Sequence, residues 1–207
     1  MNVPKWKYAV LLLVALAFLP GPPAPALGAG TGAVKGVMKT PWVKRYEGLV
    51  YIDRVEGKNF APPKKPVFMG QKDMVFKPHI LPVLKGTTVD FTNNDAIVHN
   101  VFSPPGSVKK FNLGTYGVGV TKYETFSELG EVTLLCNVHP EMLGFIIVLQ
   151  NPYFALTDKS GNFEIKDLPA GTYKLTAWHE KLQPASQQIT VEPGKTVTVE
   201  FKDLKKR

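Results

Sequence analysis

Seven consecutive residues, Cys136-Asn137-Val138-His139-Pro140-Glu141-Met142, hold a thiol, an imidazole and a thioether, and Cys136 is the only cysteine in the 207-residue chain. Thiolates and thioethers are soft donors that suit copper, and imidazole suits it too. A second imidazole completes a two-histidine, one-cysteine set with a weak axial methionine, the donor pattern of an electron-transfer copper centre. The run Ile97-Val98-His99-Asn100-Val101-Phe102-Ser103 offers it as His99. Taken singly, each residue has a plainer explanation: a lone buried cysteine behaves as a small hydrophobe, a lone histidine is structural, and a methionine before an apolar strand is core. The constellation carries the expectation, and no single member does.

Two strands must position these donors. In Glu131-Val132-Thr133-Leu134-Leu135-Cys136 a period of two puts Cys136 on the face of Leu134 and Val132, and in Ile97 to Val101 it puts His99 with Ile97 and Val101. His139 and Met142 then come from the loop after Cys136, which Pro140 restrains. The stretches Gln71 to Pro78 and Val83 to Asn93, then His99-Asn100, Cys136 to Met142 and the closing strand Phe145-Ile146-Ile147-Val148 resemble a cupredoxin. The resemblance implies a Greek-key β-sandwich with one type 1 copper, its ligands carried over as His99, Cys136, His139 and the axial Met142. It also implies that Asn100 ties the two ligand segments together. Two residues separate His139 from Met142, where the plastocyanin-like pattern has four, so the shorter loop bears on the axial distance.

The chain begins like an exported one. Lys5 and Lys7 precede an apolar run from Ala9 to Leu19, and small residues follow to Ala29. That predicts a signal peptide over 1–28 and a periplasmic or secreted protein. The apolar run is short for a membrane span, and no later segment competes, so no transmembrane span is expected after cleavage. Metal ligation answers for the odd cysteine, since one thiol forms no internal disulfide. The formal net charge is +8 and unevenly spread, with 11 Lys/Arg against 4 Asp/Glu over 29–85 and 12 against 13 over 86–207. The basic stretch suits an acidic partner or an anionic surface, or serves as plain solubilising charge. Nucleic acid is not expected, for want of a basic-aromatic motif.

The predicted copper unit spans 67–150, after a proline-stiffened linker at 59–66. Within it, Phe102 to Tyr123 reads as a long Gly/Pro-rich loop. Beyond it the style changes. Thr157-Asp158-Lys159-Ser160-Gly161-Asn162-Phe163, then Leu168-Pro169-Ala170-Gly171-Thr172-Tyr173-Lys174-Leu175, is similar to the carboxypeptidase regulatory-like, transthyretin-type β-sandwich, a module without catalytic residues. Gln188 to Val199 reads as a hairpin. The opening strands of that module, Gly-x-Val-x-Gly and x-Val-Tyr-x, are missing after 151 but stand at Gly32 to Gly36 and Leu49 to Ile52. The expectation is an all-β chain with a discontinuous second sandwich, 31–60 with 151–203. About 50 residues alone bury too little surface to fold. Nearly the whole mature chain resembles a group of exported bacterial cupredoxin proteins, some described as methylamine utilisation proteins.

His79 and His179 lie off the ligand segments and read as structural, while Glu141 is an alternative oxygen ligand to Met142. Asp158-Lys159-Ser160-Gly161 lacks calcium-loop spacing, and there is no nucleophile elbow, phosphate loop or haem motif. The expected function is carriage of single electrons to and from a redox protein such as a cytochrome, through an apolar surface near His139, Pro140 and Leu143, without enzymatic chemistry. Two alternatives use the same residues: a copper carrier or buffer without a redox partner, and a structural binding module with a vestigial metal loop. A copper enzyme would need a second centre, with His79 or His179 the residues to watch.

Overall fold

The computed structural model describes residues 28–207; all but the last residue of the leader expected over 1–28 lies outside that range. Two strands come first, β1 (Gly28–Met38) and β2 (Leu49–Ile52), separated by a 3-10 turn at Pro41–Lys44. Ten follow: β3 (Val67–Phe68), β4 (Gly70–Lys72), β5 (Val75–Lys77), β6 (Ile80–Leu84), β7 (Thr87–Thr92), β8 (His99–Phe102), β9 (Asn112–Tyr116), β10 (Thr121–Phe126), β11 (Gly130–Leu135) and β12 (Leu143–Leu149). The last four are β13 (Phe154–Leu156), β14 (Asn162–His179), β15 (Leu182–Val191) and β16 (Thr196–Phe201). No helix among the described residues is long and apolar enough to cross a membrane.

The central strands build a sandwich from a sheet ordered β6-β12-β11-β8-β9 and one ordered β10-β7-β3, with β4-β5 a separate hairpin. Alternation sets its inner face: β7 buries Thr87, Val89 and Phe91, and β11 buries Val132 and Leu134. Strand β12 is buried almost throughout. Its Ile146 and Val148 enter this core, while Phe145, Ile147 and Leu149 enter a second cluster with Leu49, Ile80 and Trp178. A strand covered on both faces reads as a continuous apolar run.

The outer sandwich draws on both ends of the chain. Strand β1 lies between β14, its antiparallel neighbour, and β16, its parallel one; β2 lies between β13 and β14. The 18-residue β14 serves both sheets: residues 162–170 pair with β1, and residues 171–179 pair with β15. A corner therefore falls within one strand, where Asp167 takes a left-handed φ of 55° and the Tyr173 hydroxyl donates to the Pro169 carbonyl at 2.9 Å. The motif glycines of β1 are there for close approach: a β-carbon at Gly36 would overlap the Val199 carbonyl oxygen, and one at Gly32 would meet the carbonyls of Glu192 and Lys195 at 2.6 Å.

Two sequence expectations change. The hairpin expected over 188–199 is instead a crossing, because β15 pairs with β14 while β16 runs parallel to β1 in the other sheet. The loop expected over 102–123 contains β9 and the start of β10, whose mostly polar, part-exposed residues hide the strand signal at the sheet edges.

Candidate metal centre

His99 opens β8, and Cys136 directly follows β11; the pairing of Leu135 with Phe102 sets these two strands side by side. Both residues are buried, as the face-sharing argument requires for Val101, Val132 and Leu134. Ile97 departs from it: the strand starts only at His99, so Ile97 is exposed. The loop from Asn137 to Met142 closes through the Met142 amide, which donates to the His139 carbonyl at 3.0 Å.

This architecture brings three of the four residues singled out from the sequence to one point. Nδ1 of His99 and Nδ1 of His139 lie 3.1 Å apart, and each lies 4.0 Å from Sγ of Cys136. A cation bound at about 2.0–2.1 Å to nitrogen and about 2.3 Å to sulfur spans up to about 4.1 Å between nitrogens and about 4.4 Å between nitrogen and sulfur, so one ion can reach all three. Met142 is fully buried and packs in the same core cluster as Cys136. The donor set, soft sulfur with two imidazoles, is the one copper favours. It is the one such group of three His, Cys, Asp or Glu donors among the described residues.

Asn100 joins the two segments. Its amide donates to Cys136 Sγ at 3.3 Å, its Oδ1 accepts from the Asn137 amide at 3.4 Å, and its Nδ2 donates to Asn112 Oδ1 at 2.9 Å. Asn93, also buried, ties the neighbouring loops: its Nδ2 donates to the carbonyls of Ile97 and Tyr116, and its backbone pairs with Val120 and Gly119. Around this end of the sandwich Val98, Val118 and Val138 are 49%, 62% and 40% exposed. His139 is half-buried. Leu143 belongs elsewhere, half-buried against the cluster shared with the outer sandwich.

One residue of the site escaped the sequence reading. Asp95 Oδ2 accepts from Nε2 of His99 at 2.8 Å, on the ring edge opposite the donor cluster. Its carboxylate also accepts the amides of Asp73 (2.7 Å) and Met74 (3.0 Å). Burial alone would raise its pKa; the amides of Met74 and Asp73 and the ring of His99 outweigh that and hold it at about 2. The sequence signal is faint, an acid four residues before a histidine in a turn-like Asn93-Asn94-Asp95.

The other candidates lie apart. Glu141 is exposed and lines a cleft with His79, outside the three-donor group. His79 stacks on Tyr46 at 3.8 Å between ring centroids and meets Glu180 at 3.0 Å. His179 accepts the Lys181 amide on Nδ1 and faces the Tyr46 carbonyl with Nε2, and its desolvation lowers its pKa. Both ring nitrogens of His179 are therefore engaged within the protein.

Residues 65–149 match the family model of copper binding proteins, plastocyanin/azurin family. This segment is a cupredoxin domain. Residues 146–203 match the carboxypeptidase regulatory-like domain, which overlaps the cupredoxin domain only in β12. Among solved structures, a reduced amicyanin variant aligns over 42% of this chain and 91% of its own, at 24% identity and a TM-score of 0.39. A copper-containing nitrite reductase from Thermus scotoductus aligns over 56% of this chain and 28% of its own, at 25% identity and a TM-score of 0.41. A purple cupredoxin from Nitrosopumilus maritimus aligns over 39% and 95%, at 26% identity and a TM-score of 0.35. Comparison with curated proteins found no match.

Proposed function

We propose that this chain is an exported type 1 copper protein that carries single electrons between redox partners, with His99, Cys136 and His139 as strong ligands and Met142 as the weak axial one. The observation that carries this reading is the convergence of two Nδ1 atoms and one Sγ within 4.0 Å, in a segment that matches a copper-binding family. Copper held there supplies a one-electron couple.

The residues of the chain do the rest. The Asn100 amide stabilises the Cys136 thiolate, and the strands behind both ligands keep the donors in place whichever oxidation state is bound. His139 reaches the surface, so its ring edge is the way out for an electron, and the exposed Val98 and Val138, next in the chain to His99 and His139, allow a partner to dry the contact. Lys44, Arg45, Lys205 and Lys206 form no ion pair among the described residues, which favours an acidic redox protein such as a cytochrome as partner. The role is that of a carrier and not an enzyme. The basic-then-apolar character of 1–28 supports export.

Visible absorption and EPR spectra of Cu(II)-loaded protein, beside Cys136→Ser, test the reading. An intense thiolate-to-copper band with narrow hyperfine splitting, absent from the variant, is expected. Weak uptake of copper, with the variant indistinguishable from the parent, would sink it.

A further inference from the structure

His99 has two ring nitrogens and two different neighbourhoods. Nδ1 faces Nδ1 of His139 and Sγ of Cys136, while Nε2 faces Oδ2 of Asp95 at 2.8 Å. A carboxylate accepts and does not donate, so the proton sits on Nε2 and the lone pair on Nδ1 points at the donor cluster.

What holds the carboxylate is distant in sequence. The β4–β5 connection is a two-residue turn in which Asp73 and Met74 both take left-handed φ angles, 59° and 55°. Two successive residues in that conformation turn their amides to the same side and make a cradle for an anion. The anion they hold is Asp95, through Oδ1 at 2.7 Å and Oδ2 at 3.0 Å, with Lys72 Nζ 3.8 Å from Oδ1. The backbone of Asp95 is fixed in turn by its own amide, which donates to Asn93 Oδ1 at 2.9 Å. The sequence of such turns favours Asn-Gly, and an Asp-Met pair there is unusual.

We propose that Asp95 is a positioning residue of the metal centre: cradled by the β4–β5 turn, it locks His99 in the Nε2–H form with Nδ1 toward Cys136 and His139, and it biases the site toward the more highly charged oxidation state of the metal. The second half follows from charge. An anion drawing on the Nε2 proton makes Nδ1 a stronger donor, and its negative charge favours the ion with the larger positive charge. The inference rests on the copper reading above for that half alone.

The two halves have separate readouts. In metal-free protein, nitrogen-detected NMR of His99 is expected to show the Nε2–H form with a slowly exchanging proton, and Asp95→Ala is expected to lose both. Asp95→Asn removes the charge and keeps one acceptor oxygen for the Met74 amide and His99 Nε2, giving up only the bond from the Asp73 amide, and so probes the charge with the ring contact retained. In its copper-loaded form Cu(II) affinity is expected to fall about 10–100-fold relative to Cu(I). That raises the reduction potential by about 59 mV per tenfold. A carboxylate that only anchors the turn changes the melting temperature and leaves the potential alone. Retention of the parent ring form in metal-free Asp95→Ala, or an unchanged potential in Asp95→Asn, overturns the proposal. If Asp95→Ala does not fold, the Asn variant still decides. If the parent takes up no copper, the copper reading fails while the NMR measurement still decides whether Asp95 sets the ring.

Discussion

The three residues that converge at the candidate metal centre could be singled out because soft-ligand chemistry is written into residue type and order: a cysteine, a histidine three residues on, and a second histidine at the start of another strand. Asp95 was not legible, because its role depends on amides at Asp73 and Met74 and on a ring orientation that only the folded chain defines. The expected exchange surface changes in one member. Leu143 was expected on it, yet the residue packs toward the outer sandwich, which a strand read alone does not reveal. Exposed apolar side chains at the metal end include Ile97, Val98, Val118 and Val138, and Val118 stands outside both ligand segments. Val118→Glu is therefore the sharper probe. It places a charge that two copies must desolvate and bring together when they exchange electrons. Electron self-exchange, read from NMR line broadening in mixtures of the two oxidation states, is expected to slow by about tenfold or more at low salt and to recover in part as salt screens the charge. Copper content and spectrum are expected to match the parent. An unchanged rate would move the exchange surface elsewhere.

The strand with one dry face read from alternation, β11, agrees with the structure, and the failures have a common cause. Strands β9 and β10 lie at sheet edges with polar side chains, so their residues look like loop; the bend in β14 and the crossing from β15 to β16 depend on which sheet a strand joins, and local pattern carries no such information. Two substitutions of opposite sign test the element-level account. Met74 is 44% exposed with φ 55°, so its side chain packs little while its backbone is held where only glycine is at ease. Left-handed conformation costs a non-glycine residue about 1–2 kcal/mol, and glycine's extra freedom in the unfolded chain takes back about 0.5–1. Met74→Gly is expected to stabilise by about 0.5–1 kcal/mol, a rise of about 1–4 °C in melting temperature for a chain of this size. Gly36→Ala is the converse. Its β-carbon would overlap the Val199 carbonyl oxygen, so β1 and β16 must separate locally. A loss of about 1–3 kcal/mol in denaturant unfolding is expected, and a loss below about 0.5 would mean that the two strands part easily.

At the scale of the whole molecule, we infer that residues 31–60 and 151–203 form one sandwich into which the cupredoxin domain is inserted. The junctions support this: Asn151 Nδ2 donates to the Ile52 carbonyl at 2.8 Å, and Gln150 bonds the Val55 amide at 3.1 Å and the Lys58 carbonyl at 2.7 Å, so the chain leaves and returns at nearly one place. The motif of the outer module pointed to an insertion from sequence, whereas nothing in the sequence pointed to the contact of Glu131 with Trp178 and Arg207, which are remote from it in the chain. There Glu131 accepts from Arg207 at 2.9 and 2.7 Å and from the Trp178 ring nitrogen at 2.8 Å, beside the packed rings of Phe145 and Trp178. Burial would raise the Glu131 pKa, but the bonds from Arg207 and Trp178 outweigh it and lower the value below 4.5. A carboxyl whose folded pKa lies below its unfolded one binds its proton less readily when folded. Its contribution is therefore complete above the ordinary carboxyl range and is lost as pH falls toward the lowered value. Because Arg207 is partly exposed, the seam is worth about 1–2 kcal/mol and not the figure for a sealed pair. Glu131→Gln is expected to unfold about 1–2 kcal/mol more easily near pH 7, with the gap to the parent narrowing near pH 3. Contacts that the substitution leaves unchanged are common to both proteins and cancel in that difference. Denaturant titrations of parent and variant at the two pH values measure it, and a gap that stays constant would mean that the Glu131 charge does not hold the two sandwiches together.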